Sequence, residues 1–258
     1  MIPFVKDKLH VKSFQDRVEM GQNAAIDVSN KIQELLAQQA EITMVFAAAP
    51  SQNEFLESLI SDTNIEWNRI NAFHMDEYIG LIGDAPQKFG IFLQDRIFDR
   101  VKFKSVHYIN GESTDIQAET IRYSNLLLKA KIDIVCLGIG ENGHIAFNDP
   151  HVADFNDKEI VKLVDLDLEC RIQQVNDGCF AHVDDVPKKA ITLTIPILLS
   201  ATYMFCIVPG KTKAEAVKNT IHSPVVEKCP ATILRNKENA ILYLDVDSSS
   251  LLFHTDLN

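Results

Sequence analysis

Apolar residues change period repeatedly along this chain, and the period separates segments that coil from segments that extend. From Asp16 to Gln39, Val18, Ala24, Ala25, Val28, Ile32, Leu35 and Leu36 recur at helical spacing, which predicts a helix after a short strand-like start. Ile42 to Ala49 (ITMVFAAA) is a nearly continuous apolar run ending at Pro50-Ser51, as expected of a buried parallel strand entering a loop. Asn53 to Ser61 resumes helical spacing, and Ile70 to Met75 reads as the next strand, ending at the acidic pair Asp76-Glu77. A loop over Gly80 to Pro86 leads to an amphipathic helix from Gln87 to Phe98, a strand at Ser105 to Ile109 and a helix at Asp115 to Lys129. Ile132 to Leu137 is the clearest strand, and a glycine-rich segment follows it directly. Strands at Ala190 to Ile195, Met204 to Val208 and Ala240 to Leu244 alternate with helices at Pro196 to Ser200 and Lys211 to Thr220.

This alternation predicts an α/β fold: a doubly wound, mostly parallel sheet with helices on both faces. Ligands of such sheets bind beyond the carboxyl ends of the strands, near a topological switch point. Four segments occupy that kind of position: Ala48–Gln52, Asp76–Gly80, Gly138–Pro150 and Pro209–Lys213. The exception to the regular pattern is Asp149 to Pro187, which is long, polar and weak in strand signal. A lid over an active site and a plain structural insertion both fit it. The expected organisation is one domain over residues 1–258, with a lid-like insertion within 149–187.

Composition narrows the partners more than the fold. The formal net charge of −11 argues against a nucleic-acid or anionic-membrane surface, and no apolar run is long enough to span a bilayer. A small phosphorylated ligand remains compatible, because a few local donors can cradle one phosphate. The five cysteines are odd in number, contain no C-x-x-C pair and fall partly in apolar runs, which predicts reduced thiols in the cytoplasm and no clustered zinc site.

Two segments carry candidate chemistry. In Gly138 to Pro150 (GIGENGHIAFNDP), three glycines allow tight turns and His144 follows the last of them. GIGENG has the spacing of a dinucleotide fingerprint, but Pro150 arrives too soon for the helix that fingerprint requires. A lone histidine is commonly structural; here Asn142 and Asp149 stand where they can orient the imidazole. In Phe73 to Gly80 (FHMDEYIG), adjacent acids at a strand end cannot face the same way. One can act as general base on a C–H beside a carbonyl, while the alternative is a turn or capping acid.

MDEY (Met75–Tyr78) and GENGHIAFN (Gly140–Asn148) resemble the glucosamine-6-phosphate deaminase/isomerase family. Partial matches at Asp184–Ile195 and Gly210–Val217 extend the resemblance over most of the chain in order. It implies that His144 opens a sugar ring by moving a proton at the ring oxygen, with Asn142 and Asp149 holding the imidazole. Asp76 would carry a proton from C2 to C1 through an enolamine, and hydrolysis of the ketimine would release ammonia and leave a ketose phosphate. No cofactor or metal is implied, and the partner is a small sugar phosphate; a homo-oligomer is left open. Lys213 matches the family's phosphate-contacting lysine, and Arg171 lies near, but out of register with, its lid arginine.

The departures are local. Asn142 stands where the family commonly has Asp, and Asp149 where it commonly has Glu. The first phosphate loop is AAAPSQ, Ala47 to Gln52, without the family's glycines, which leaves Ser51 and nearby amides as the expected anion contacts. The basic pair that serves allosteric activation in some members is replaced around Glu159 and Val161, so no such regulation is expected. Two alternatives remain beside the deaminase: a 6-phosphogluconolactonase-like hydrolase and a non-catalytic sugar-phosphate sensor. The lactonases continue their glycine-histidine loop differently, and the sensors carry a DNA-binding module ahead of the sugar domain.

Overall fold

The computed structural model describes residues 3–252. The strands are β1 (Phe4–Lys6), β2 (Leu9–Phe14), β3 (Ile42–Phe46), β4 (Ile70–His74), β5 (Asp76–Tyr78), β6 (Ser105–His107), β7 (Ile134–Leu137), β8 (Val161–Asp165), β9 (Lys189–Leu193), β10 (Tyr203–Val208) and β11 (Ala240–Asp245). The helices are α1 (Arg17–Leu36), α2 (Asn53–Ile60), α3 (Phe89–Leu93), α4 (Ile116–Leu128), α5 (Leu168–Asn176), α6 (Ile195–Leu199) and α7 (Ala214–His222). Eight strands form the main sheet in the order β1-β2-β11-β10-β7-β3-β4-β6. Every pair in it is parallel except β1 with β2.

Burial on both faces explains why β3 reads as an unbroken apolar run. Met44 and Phe46 enter the core shared with α1 and α2, and Val45 enters the opposite core with Tyr123 of α4 and Val217 of α7. Helix starts follow local capping: Asp16 accepts from Glu19 N at 2.8 Å and Asp115 from Ala118 N at 2.9 Å. After β3 the chain winds outward to β4 and β6. After β7 it winds the other way, to β10 and β11. The switch point therefore lies between β3 and β7, and the predicted doubly wound architecture is present.

Four expectations need correction. The strand expected over Ala190 to Ile195 is present as β9, but it belongs to a second, antiparallel sheet of order β5-β9-β8. Asp76–Tyr78, expected only as a segment beyond a strand's carboxyl end, is β5 of that sheet. The segment 149–187 is less irregular than its composition suggests, because it contains β8 and α5, and Asp167 caps α5 by accepting from Cys170 N at 2.6 Å. Alternation in β8 is interrupted by charges, so its pairing with β9 is not visible locally. The helix expected from Gln87 starts instead at Phe89, where Glu77 takes the first backbone donors, and ends in a π-type turn over Gln94–Phe98.

Candidate active site

A cleft of about 510 Å³, its open mouth included, lies at the switch point. Its walls come from the ends of four parallel strands, which contribute Ala47–Ala49 and Ser51, Met75 and Asp76, Gly138–Gly140 with His144, and Lys213. Helix α5 adds Gln173, Gln174 and Asp177 from the inserted segment. Of the residues named from the sequence, Ser51, Asp76, His144 and Lys213 line this one cleft, and Asn142 and Asp149 support His144 from behind. Arg171 is not brought there. Its guanidinium is buried and donates to the carbonyls of Val186 (3.2 Å) and Val183 (2.5 Å), so it staples the inserted segment to itself.

The histidine is positioned by its own loop. Gly140 N donates to His144 O at 2.9 Å, and the imidazole lies flat against the Gly140 Cα. A Cβ at position 140 would stand 2.2 Å from His144 Cε1, so only glycine admits the ring. A turn closed by the Ile145–Asn148 bridge follows, where a dinucleotide fingerprint would start a helix. Asn142 Oδ1 accepts from His144 N at 3.0 Å while its amide nitrogen donates to Asp149 Oδ1 at 3.1 Å. His144 Nδ1 stands 3.0 Å from the same Asp149 oxygen, within ion-pair reach but off the line of a straight ring N–H bond. Burial alone would raise the Asp149 carboxyl; His144, Asn142 and the Asp167 N–H (3.2 Å) outweigh it and hold the group below the usual carboxylate range. Asp149 is therefore an anion at the back of the imidazole. Ala146 beside it takes a left-handed conformation, φ 48°, which is uncommon for a residue with a Cβ.

The carboxyl opposite is prepared differently. Asp76 is buried, and burial first, then the charge of Glu77, push it well above the ordinary range. Glu77 turns away and accepts from Tyr78 N (2.9 Å), Phe89 N (3.0 Å) and Gly90 N (2.8 Å), capping α3. Burial nevertheless raises Glu77 to about 7. Behind them His74 accepts from Ile109 N at Nε2 (2.8 Å), which leaves the Nδ1 proton to donate to the Asp76 carbonyl (2.9 Å). Burial lowers His74 to about 4, so it is a neutral strut. The two chemical motifs meet through the second sheet. Thr192 is the register partner of Asp76, and its Oγ1 accepts from Phe147 N at 3.0 Å on the histidine loop.

The far end of the cleft is sparser. The Ala49 to Gln52 turn opens α2, and Gln52 Nε2 ties it to Ser51 Oγ and to Ile207 O, both at 3.1 Å. Lys213 follows a turn at Gly210 (φ 94°), whose N–H donates to Asp245. Burial lowers the lysine, with Asp177 and Glu141 opposing. Gln173, Gln174 and Asp177 escaped the sequence reading because a polar helix gives no sign of which face meets a cleft. Two sets of potential metal ligands converge nearby, His144/Asp149/Cys170 and Asp149/His151/Asp167, and in both of them Asp149 already accepts from its neighbours. All five cysteines are free, and no helix among the described residues is long and apolar enough to cross a membrane.

A glucosamine-6-phosphate deaminase of Streptococcus pneumoniae is 33% identical over 221 residues, covering 86% of this chain and 91% of the relative. The solved structure of a monomeric glucosamine-6-phosphate deaminase superposes with a TM-score of 0.83 at 31% identity, covering 93% of this chain and 99% of that one. A 6-phosphogluconolactonase from Thermotoga maritima shares the fold, with a TM-score of 0.74 at 22% identity over 92% and 100% of the two chains. Residues 15–243 match the family described as glucosamine-6-phosphate isomerases/6-phosphogluconolactonase, and the chain belongs to that family.

Proposed function

We propose that the protein is a deaminating aldose–ketose isomerase, converting an amino-sugar phosphate of the glucosamine 6-phosphate type to a ketose phosphate and ammonia. The observation that carries this reading is the pairing, in one cleft, of a buried carboxyl of raised proton affinity with a histidine backed by an anionic Asp149. His144 transfers a proton at the ring oxygen, and the Asp149 charge stabilises the imidazolium that forms. Asp76, once ionised, takes the C2 proton of the open aldose imposed by that step and returns it to C1. Burial makes its carboxylate a stronger base than a solvated one. The resulting ketimine adds water and expels ammonia, so the balance is amino-aldose phosphate plus water to ketose phosphate plus ammonia.

Lys213, Ser51 and the open amides before α2 hold the phosphate, and the inserted segment 149–187 serves as a lid on this single domain, with α5 as the part that meets the substrate. The lining by Gln173, Gln174 and Asp177 supports that role. The charge of −11 and the free cysteines support a cytoplasmic enzyme that works on a small molecule and not on nucleic acid. Incubation with glucosamine 6-phosphate and its galacto epimer, assayed for ammonia and ketose phosphate, tests the reading. Turnover of 6-phosphogluconolactone without ammonia would replace it with the hydrolase, and saturable binding without turnover would replace it with a sensor.

A further inference from the structure

Asn142 is an amide between two carboxylates. Its nitrogen donates to Asp149 Oδ1 at 3.1 Å and to Asp167 Oδ2 at 3.2 Å. Asp167 makes a second contact with the same group, because its backbone N–H donates to Asp149 Oδ2 at 3.2 Å. Its remaining oxygen, Oδ1, caps α5 through Cys170 N at 2.6 Å. One residue at the head of the inserted helix therefore grips both supports of His144 while starting the helix that lines the cleft. Farther along the same helix, Gln173 Oε1 accepts from Glu141 N at 2.7 Å and Asn176 Nδ2 donates to Glu141 Oε2 at 3.1 Å. The histidine loop and α5 are thus joined at two places a turn or more apart.

We infer that Asp167 is a positioning residue for His144: it fixes Asn142 and Asp149 through the Asn142 amide, so that docking of α5 completes the acid–base pair. The inference rests on the deaminase reading for its kinetic consequence, but not for its structural one. An amide donor shared by two acceptors cannot rotate without losing one of them, and this leaves Asn142 Oδ1 aimed at His144 N (3.0 Å). Asp149 is then locked at both oxygens and keeps one of them 3.0 Å from His144 Nδ1. The other titratable neighbours are Cys170, whose thiol burial pushes up, and the half-exposed His151, 3.8 Å from Asp167 Oδ2. Neither replaces the bridge.

The test is Asp167→Asn, which keeps a residue suited to capping. If its oxygen caps α5, its amide faces the Asn142 amide, donor against donor, and the bridge is lost. The expected result is a fall in kcat of about tenfold, the weight of one charge-assisted hydrogen bond, with KM within about twofold. The 15N spectrum of the His144 ring should pass from a single Nδ1-protonated tautomer to a mixture of tautomers. Asp167→Ser, which caps but cannot span to Asn142, should behave alike. A parent-like ring spectrum in Asp167→Asn overturns the proposal whatever happens to kcat, since a plain cap would move stability alone. If the parent turns over no amino-sugar phosphate, the deaminase reading fails while the ring spectrum still decides the role of Asp167.

Discussion

The two ends of the cleft are built on opposite plans. At the reaction end each functional group is held by several others: His144 by Asn142, Asp149 and the flat face of Gly140, and Asp76 by a backbone that His74 and β9 fix from both sides. At the anion end Lys213 is buried and its ammonium makes no hydrogen bond among the described residues, while the wall around it is made of alanines, one serine, the side-chain amides of Gln173 and Gln174, and the carboxyl of Asp177. Proton transfer needs geometry fixed to fractions of an ångström, whereas a phosphate can be held by one charge and several adaptable donors. On the proposed function, the contrast teaches that specificity for the reaction is built into tightly held loops, while grip on the substrate's far end is assembled from separate elements that meet only there.

The comparison can be broken most sharply at the reaction end. His144→Gln and Asp76→Asn should each lower kcat by about a thousandfold, as expected for loss of a general acid or base. Gly140→Ala should approach that loss, because its methyl group would occupy the place of the imidazole. Steady-state ammonia release measures all three, and a Gly140→Ala variant with parental kcat would show that the ring is not held as described. Lys213→Met addresses the other end. It should raise KM for the phosphorylated substrate about ten- to a hundredfold, change kcat less than threefold, and raise Tm, because an unpaired buried cation is removed. A loss confined to kcat would mean that the two ends are not separable.

Smaller effects test what supports each end. Glu77 has its folded-state value raised to about 7, so its stabilising contribution is present below pH about 4.5 and lost as pH rises through 7. The difference in unfolding free energy between Glu77→Gln and the parent should therefore move in favour of the variant between pH 5 and 8, by on the order of 2–3 kcal/mol. His74 has the opposite sign: lowered to about 4, it stabilises above pH 6.5, and that contribution is lost as pH falls through 4. Urea titrations at several pH values read both, and parallel curves for Glu77→Gln and the parent would contradict the first. Ser51→Ala should do least, raising KM about two- to threefold, since backbone amides before α2 share its task.

Legibility in the sequence followed the same division. The strands of the main sheet, α1 and α4 were readable because buried periodicity and capping aspartates are local signals. That Asp76 and His144 share one cleft could be anticipated, because each sits in a short motif, FHMDEYIG or GENGHIAFN, next to a strand end. Arg171 lies away from the cleft, and its sequence proximity to a lid position said nothing about which carbonyls would capture its guanidinium. Thr192, Asp167, Gln173, Gln174 and Asp177 had no local mark at all. Each contacts a partner 15 or more residues away, or the cleft itself.

His144 began as a histidine after a glycine turn, with two polar neighbours that could orient it. Its place, its neighbours and the α/β order around it were determined by the sequence alone, since turn geometry and hydrophobic period act over a few residues. Only the tertiary structure decided that β5 and β9 join its loop to Asp76, that α5 closes on its supports, and that Lys213 shares the same cleft. Those are long-range choices: they depend on which surfaces pack once the sheet has formed, and no local pattern encodes that outcome.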